Sequence, residues 1–465
     1  MSLRKQAIQG GAFLAFRQGI GIALSLVGVL LVTRVIGPRQ YGLYAVGAGI
    51  VNFLCTLGTW GLDVCLLRKT DTPDKKEFHQ VFTLLLCISS LFLAGLVVLS
   101  PLIARFVKMS GVAPVITFLA VAIPLKLLAL PAIVKLDRDL NLKQVAINEV
   151  TGQISTYAVA IPLAFAGAVS WAPASGFVTQ QLVLAGLSFW SAGYLPSLHW
   201  ETRLIRQMLK YGLGYSSSTW VWQLRSLVNP LIVGRYAGAQ AVAYVAVSIR
   251  IVKGLSFANS VTWRIAMPAL AKMGGDPIRL RKSVSEGMRL QALAAGFPLA
   301  AFALVAPFVI PLGFGHNWVP ALGVFPFVAL SYLSNAMFNL HSSVLYLLGK
   351  NFQVTLFHIV HVILFAGGAL LLVPRLGFSG YGWAEVVALP SYIVIHAFLS
   401  QQVGSPSYGV ALIWFATATF VLALSGFGTP VLYGGVFVLF LPLLFEKERT
   451  SLAGYLQILF SRAGA

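Results

Sequence analysis

The sequence predicts an all-α polytopic membrane protein with about fourteen transmembrane helices. Only 10 % of the 465 residues are charged and 58 % are hydrophobic, whereas an average soluble protein has about 25 % charged residues. Charged residues are absent from 150–200, 290–349 and 386–445, and each segment is more than twice as long as the ~20 apolar residues that cross a bilayer once. Because backbone polar groups in a bilayer must be bonded within the chain, and because these segments lack the alternating pattern of barrel strands, we expect helices.

Apolar stretches between turn signals mark the individual helices. The predicted spans are 8–33, 41–66, 80–104, 112–135, 145–167, 176–198, 209–234, 240–266, 288–312, 319–347, 352–373, 378–399, 408–425 and 429–445. The last two spans are short, so the first twelve form the core of the prediction. They divide into an N-terminal lobe of six helices at 1–200 and a C-terminal lobe of six at 201–400. Residues 401–465 then hold two extra helices and a cytoplasmic tail.

The segments between the predicted helices are too short for a soluble catalytic domain, and the sequence has no GxxxxGK[ST] phosphate-binding loop. An ATP-driven engine within this chain is therefore excluded. The first apolar stretch is too long for a signal peptide, so we expect it to be retained as a helix. No cofactor or metal site is predicted, because Cys55, Cys65 and Cys87 lack metal-ligand spacing and no HExxH motif occurs.

The distribution of basic residues predicts the orientation in the membrane. Of the 33 Lys and Arg residues, 22 lie at one side of the predicted bundle and six at the other. The positive-inside rule assigns the richer side to the cytoplasm, which places both termini there. The net charge of +20 is thus mostly explained by topology, with attraction to anionic lipid as a further contribution. Nucleic acid is not an expected partner.

Five basic residues lie within the predicted spans, where an Arg or Lys at the bilayer centre costs about 2.5–3.5 kcal/mol on insertion scales. These residues are Arg17, Lys126, Arg225, Arg250 and Lys253. Cations at this depth usually face a water-filled cavity and act there. We therefore expect the five to converge on one central cavity between the two lobes and to bind an anionic passenger, because arginine matches phosphate geometry.

Helical spacing supports the cavity interpretation. On helix seven, one stripe at 100° per residue comprises Ser218, Trp222, Arg225 and Asn229. On helix eight, Arg250 and Lys253 are three residues apart and share a face. We add Trp222 and Asn229 to the five cations as candidate binding residues. The alternative is structural pairing of the cations with buried acids, for which Glu385, Asp63 and Glu149 are the available partners.

Two other residue types have a structural and a functional interpretation. Trp60, Trp220, Trp222 and Trp263 either stack on sugar rings or anchor the helices at the membrane interface, where tryptophan is enriched. His358 and His361 share a face of helix eleven, and His396 lies in helix twelve. Packing or polar contacts between helices are favoured for these histidines over proton coupling.

A weak internal repeat has an offset of 200 residues. Gln40 and Tyr44 match Gln240 and Tyr244, and each pair follows a short turn between two apolar helices. The first helix of each half enters from the cytoplasm, so the repeat is parallel, with a pseudo-two-fold axis along the membrane normal. Transporters that alternate access between two lobes have such repeats.

Several short motifs resemble the polysaccharide transporter family of oligosaccharide flippases, Wzx-like members of the MOP superfamily. The segment LVTRVIGPRQYGLY at 31–44 resembles the turn after the family's first helix, where Gly37-Pro38 is expected to end that helix. Further matches in the same order are GTWGL at 58–62, MPAL at 267–270, GHNWVPA at 315–321 and GFSGYG at 377–382.

This resemblance implies a MOP flippase-like fold in the bacterial cytoplasmic membrane. It implies that the protein is not an enzyme, and that it moves a polyprenyl-diphosphate-linked oligosaccharide from the cytoplasmic to the outer leaflet, for a cell-surface polysaccharide such as lipopolysaccharide. Its partners are then the lipid-linked oligosaccharide and the bilayer, with polysaccharide polymerase machinery as an open further partner. The chain departs from the family at Asn229, where many members have an acid late in helix seven, which puts cation coupling through that residue in doubt.

Three other functions fit the sequence less well. A MATE-like multidrug exporter of the same superfamily needs acids to hold cationic drugs, and the spans contain few. A membrane glycan polymerase or ligase needs an acidic or histidine-based site on a sizeable loop, which the sequence lacks. A lipid scramblase has no use for a surplus of buried cations.

Overall fold

The computed structural model describes residues 3–68, 74–257, 270, 276–425, 429–444, 446, 448 and 449. It describes side chains from Gly19 onward, apart from those of 68, 211, 213–215 and 429–433. Within these ranges the chain is helical, without a strand. This confirms the predicted all-α membrane fold.

We number the α-helices in chain order. They are α1 (Leu3–Gly58), α2 (Leu62–Arg68), α3 (Lys75–Val107), α4 (Val112–Ala120), α5 (Ala122–Leu128), α6 (Leu130–Arg138), α7 (Leu142–Phe165), α8 (Trp171–Ala192), α9 (Thr202–Leu224), α10 (Gly234–Leu255), α11 (Pro277–Val309), α12 (Phe325–Leu347), α13 (Asn351–Leu376), α14 (Phe378–Ala388), α15 (Ser391–Val403), α16 (Gly409–Leu424) and α17 (Thr429–Phe440).

Two kinks mark the internal repeat. Helix α1 covers the first predicted span and most of the second, and it bends at Gly37, whose φ of 73° and ψ of 169° interrupt the helix ahead of Pro38. Helix α10 bends in the same way at Gly238, with φ 83° and ψ 179°. A positive φ is accessible to glycine at little cost. The predicted breaks between spans one and two and between spans seven and eight are thus confirmed.

Helical segments overlie all fourteen predicted spans. By length and hydropathy, seven helical stretches of the described chain qualify as membrane spans, or eight if a bent pair at 316–347 counts as one. Two of the seven are 40 residues long, Gly19–Gly58 and Ser216–Leu255, and each overlaps two predicted spans that meet at a kink. The total of fourteen crossings stays a prediction.

Helices of the two predicted lobes meet mainly along α1 and α10. At one end of this contact Arg34 donates hydrogen bonds to the carbonyls of Leu312 (2.9 Å) and Gly313 (3.3 Å), which follow α11. At the same end Arg235 donates to the carbonyl of Phe106 on α3, at 2.7 Å. An arginine from each half thus binds backbone carbonyls of the other half. This end is the one that the charge distribution assigns to the outside.

Helix seven of the prediction is irregular in its second half. After α9 the chain forms a 3₁₀ turn at Arg225–Leu227 and a π-helical turn at Val228–Val233. Pro230 lies within the π segment and has no N–H for a helical hydrogen bond. The Asn229 side-chain amide donates to the carbonyl of Val242 on α10, at 3.2 Å. Such departures from the α-helix are frequent at functional sites.

Candidate functional site

A cavity of about 540 Å³ lies between α1, α7 and α10. Both halves of the chain contribute to its wall, which contains the predicted candidates Arg250 and Lys253. The other polar and charged lining residues are Ser25, Tyr41, Tyr44, Asn52, Glu149 and Gln153. The described lining thus carries two cations and one acid. The cavity is net positive where the membrane would otherwise exclude charge.

Neutral groups hold the Arg250 guanidinium in place. Its Nε donates to the Ser25 hydroxyl at 2.9 Å, and its Nη2 donates to the Tyr157 hydroxyl at 2.8 Å. Tyr157 in turn donates to the Ser25 carbonyl at 3.1 Å, and Tyr41 lines the same cavity as the arginine. Among the residues that the structure describes, no carboxylate forms an ion pair with Arg250. Its positive charge therefore remains available to an anion.

Local packing fixes Tyr157 against α1. A Cβ atom at position 28 would lie 2.3 Å from the Tyr157 ring, so glycine at this position makes room for the tyrosine. Gln153, one turn earlier on α7, donates to the carbonyl of Gly21. These contacts between α7 and α1 position the groups that orient Arg250. Lys253 lies about one turn along α10 from Arg250 and is exposed.

Lys126 lies beside a second cavity, of about 230 Å³. Its Nζ donates to Oδ1 of Asn52 at 3.1 Å, and Asn52 itself lines the central cavity. Lys126 is thus connected to the central cavity through one hydrogen bond. Arg17 precedes the residues whose side chains the structure describes, so its prediction lies outside them.

Arg225 lies away from the central cavity. Its Nη2 is 2.9 Å from Oε2 of Glu385 on α14 and 3.3 Å from the Ser331 hydroxyl on α12. Glu385 is 1 % exposed. The expectation that all five cations converge on one cavity is therefore wrong for Arg225. The alternative, pairing with a buried acid, applies to this residue.

Trp222 and Asn229 also lie away from the central cavity. The Trp222 ring packs against His358 and His361 on α13, with centroid distances of 4.9 and 5.0 Å, and against the Arg225 guanidinium at 4.7 Å. Asn229 is buried beside α10. The predicted stripe forms one face of helix seven, but this face points into the C-terminal lobe. Helical spacing identifies residues on a common face and does not say what that face meets.

The histidines make polar contacts between helices, as the sequence favoured. His358 Nδ1 is 3.0 Å from the Ser218 carbonyl on α9, and His361 Nδ1 is 2.8 Å from the Ser391 hydroxyl on α15. His396 Nδ1 is 2.6 Å from the Tyr408 hydroxyl. Each contact joins different segments of the C-terminal half.

Several residues around Arg250 were not predicted from the sequence, above all Ser25 and Tyr41 in the central cavity and Tyr157 beside it. A signal for the α7 wall was present. Polar residues recur on one face of that helix, at Glu149, Gln153 and Thr156–Tyr157, with a spacing of three to four residues. Tyrosines in membrane helices are usually interpreted as interface anchors, which hid their role beside Arg250.

Comparison with known proteins identifies the family. The family model described as "Polysaccharide biosynthesis protein" matches residues 31–322. The chain belongs to this family. The resemblance to polysaccharide transporters drawn from the short motifs is thereby confirmed, and the matched range contains Lys126, Arg225, Arg250 and Lys253.

Two curated relatives of this polysaccharide biosynthesis protein have related names. The lipopolysaccharide biosynthesis protein WzxC of Escherichia coli (strain K12) is 22 % identical over 71 % of the chain and 68 % of its own length. The succinoglycan biosynthesis transport protein ExoT of Rhizobium meliloti (strain 1021) is 26 % identical over 66 % of the chain and 62 % of its own length. The chain thus spans about two thirds of the length of these relatives.

Two solved structures share the fold. The lipid II flippase MurJ in an inward closed conformation superposes with a TM-score of 0.73 at 11 % identity, covering 97 % of this chain and all of MurJ. An inward-facing MATE multidrug resistance transporter of the MOP superfamily gives a TM-score of 0.55 at 15 % identity, covering 88 % of this chain and 96 % of its own. At these identities the likeness concerns the fold.

Proposed function

We propose that this polysaccharide biosynthesis protein flips a polyprenyl-diphosphate-linked oligosaccharide from the cytoplasmic to the outer leaflet of the bacterial cytoplasmic membrane. The observation that carries the proposal is the net-positive cavity between the halves of the chain, with Arg250 and Lys253 in its wall. A cation without an acidic partner is costly at membrane depth. An anionic headgroup that enters the cavity offsets this cost.

The chemistry of Arg250 suits a diphosphate. Ser25 and Tyr157 engage Nε and Nη2 of the guanidinium, and its five N–H donors leave further donors for a ligand oxygen. Hydrogen bonds between charged groups and phosphate are the strong ones, and a preoriented guanidinium loses little side-chain entropy on binding. Lys253 supplies a second positive charge one turn away for the other phosphate.

Transport then follows from alternating access. The diphosphate enters the cavity from the cytoplasmic side, the sugars follow into the aqueous space, and the polyprenyl tail remains in lipid between the lobes. Opening of the contacts made by Arg34 and Arg235 releases the headgroup outside. For a headgroup with about two negative charges, 100 mV negative inside favours outward movement by about 4.6 kcal/mol, less the contribution of any protein charge that moves with it.

The names of similar proteins support the glycan part of the proposal. WzxC and ExoT are named for lipopolysaccharide and succinoglycan biosynthesis, and MurJ is named as a flippase of lipid II. These relatives also favour a transporter over an enzyme. A multidrug exporter for cationic drugs is less favoured, because Glu149 is the single acid in the described lining of the central cavity. We also propose that both termini are cytoplasmic and that the protein works with polysaccharide polymerase machinery.

Reconstitution tests the proposed function. Vesicles containing the purified protein and a fluorescent lipid-linked oligosaccharide are compared with protein-free vesicles, and the fraction of lipid that an external glycosidase reaches is followed over time. We expect the protein to increase the initial rate of exposure by at least about tenfold. Equal rates in both kinds of vesicle contradict the proposed function.

A further inference from the structure

The second cavity, of about 230 Å³, lies between the N-terminal half and α9 of the C-terminal half. Its wall is rich in hydroxyl groups, which come from Thr56, Thr59, Ser216 and Thr219. Asp63 adds a carboxylate, and Lys126 adds an ammonium group. So many polar groups are unusual within a membrane domain. Ionisable side chains are costly there and usually mark a functional site.

An aromatic wall completes the cavity. Trp220 lines it, and the Trp220 ring lies 6.3 Å from the Trp60 ring at an angle of 64°. The Trp220 indole N–H is inaccessible to solvent and has no hydrogen-bond partner among the described residues. An indole offers an apolar face together with a polar N–H donor. Sugar rings have the matching surface, with a C–H face and hydroxyl groups at the edge.

The wall of the second cavity includes a close backbone contact between the two halves. A Cβ atom at Gly61 would lie 2.7 Å from the carbonyl oxygen of Gly212, and one at Gly212 would lie 2.1 Å from the carbonyl oxygen of Trp60. The turn at Trp60-Gly61 therefore packs directly on the backbone of α9, and Gly61 has a φ of 67°. A preformed wall reduces the entropy that a ligand loses on binding.

The second cavity adjoins the central one. Asn52 lines the central cavity and accepts the hydrogen bond from Lys126, which lines the second. Ala45, Ala48 and Asn52 line the first cavity, Thr56 continues the same face of α1 into the second, and Thr59 follows directly after the helix. From Asn52 to Thr59 the helix advances about 10 Å. One extended headgroup is therefore long enough to contact both cavities.

We propose that the second cavity is a glycan subsite, which holds the sugars nearest the diphosphate while Arg250 and Lys253 hold the diphosphate itself. A sugar ring packs on Trp220, and its hydroxyls bind Asp63 and the threonine hydroxyls. The polyprenyl tail does not suit this wall, because it would leave a carboxylate and an ammonium group unsolvated. A second phosphate is disfavoured by Asp63. This inference rests on the proposed function and specifies which part of the substrate each cavity binds.

Binding to two lipids tests the inference. The probes are sugar-free polyprenyl diphosphate and the lipid-linked oligosaccharide extracted from membranes of the organism that carries this chain. We expect the unaltered protein to bind the oligosaccharide more tightly, and Trp220→Ala to weaken that binding by about 2- to 10-fold with no change for the sugar-free lipid. Asp63→Asn, which preserves side-chain shape, should have the same selective effect. Trp190→Ala, at an exposed tryptophan of α8, is the matched control and should bind as the unaltered protein does.

The outcomes separate this inference from the proposed function. If Trp220→Ala and Asp63→Asn weaken both lipids equally, or neither, the glycan subsite is refuted. If Arg250→Ala leaves the binding of both lipids unchanged, the proposed function fails whatever the tryptophan variant does. Thermal unfolding of each variant identifies misfolding, and Asp63→Asn keeps the test decisive if Trp220→Ala is unstable.

Discussion

Arg225 and Glu385 form a closed ion pair inside the C-terminal half, with Nη2 of the arginine 2.9 Å from Oε2 and 3.0 Å from Oε1 of the carboxylate. The Ser331 hydroxyl donates to Oε2 at 2.6 Å, and the Arg225 guanidinium also lies over the Trp222 ring. Arg225 thus has its charge neutralised within the protein, whereas Arg250 is surrounded by hydroxyl groups. The two arginines are expected to have different roles.

The ion pair predicts that losing one partner destabilises the protein and that replacing both partners restores its stability. Arg225→Met leaves the Glu385 carboxylate buried without a partner and should destabilise the protein by about 3–5 kcal/mol. Adding Glu385→Leu removes the unpaired charge, so the double variant should recover most of the lost stability. Thermal unfolding in detergent measures both. A single variant as stable as the unaltered protein, or a double variant no better than the single one, contradicts a structural pair.

The reciprocal contacts of Arg34 and Arg235 predict control of outward opening. Each arginine donates to backbone carbonyls of the other half, so Arg34→Ala and Arg235→Ala should each favour the outward-open state by about 2- to 10-fold, the effect of one hydrogen bond of ~0.5–1.5 kcal/mol. Ala48 lines the central cavity. A cysteine introduced there should react faster with an impermeant maleimide added outside.

This labelling experiment has a matched control. Arg375→Ala changes an exposed arginine at the end of α13, which is predicted to lie on the same side of the membrane, and should leave the labelling rate unchanged. If Arg34→Ala and Arg235→Ala label no faster than Arg375→Ala, the two contacts do not control opening.

The predicted topology can be tested at the two ends of one helix. Lys76 and Arg105 are exposed near opposite ends of α3. In a variant without Cys55, Cys65 and Cys87, a cysteine replacing Lys76 should be labelled from the cytoplasmic side alone, and one replacing Arg105 from outside alone. The expectation follows from the excess of basic residues on the Lys76 side. The reverse pattern would invert the assignment.

The energy source gives a further prediction. Glu385, the acid deepest within the predicted spans, is engaged by Arg225, and the proposed substrate is anionic. The flipping rate should therefore rise with a cytoplasm-negative potential and persist without a sodium or proton gradient. Vesicles with a potassium diffusion potential measure the first effect, and ionophores the second. Flipping that requires an ion gradient and ignores the potential would exclude this mechanism.

The sequence predicted the helices well because each span leaves a strong apolar signal. It also predicted the kinks, since Gly37-Pro38 and Ala237-Gly238 are local breakers. Arg250 and Lys253 were correctly placed together, because residues three apart share a helix face. Both line the central cavity.

The rest of the candidate site depended on tertiary contacts that helical spacing does not contain. The face of helix seven with Arg225 meets α12 and α14, where Ser331 and Glu385 lie more than 100 residues away in the chain. The other face of the same helix, with Ser216, Thr219 and Trp220, lines the second cavity. The sequence alone could not show which polar face of helix seven lines a cavity, because this depends on the helices that each face contacts.

The most direct test of the central claim is the rate at which reconstituted Arg250→Ala flips the lipid-linked oligosaccharide, compared with Arg375→Ala as the exposed control. Loss of charge-assisted hydrogen bonds of ~1.5–3 kcal/mol should lower the rate by about 10- to 150-fold, and Arg250→Lys should retain part of the activity because it keeps the charge. Arg375→Ala should flip at the unaltered rate. An Arg250→Ala protein that is inserted, folded and as fast as Arg375→Ala would show that the cavity arginine does not bind the transported headgroup.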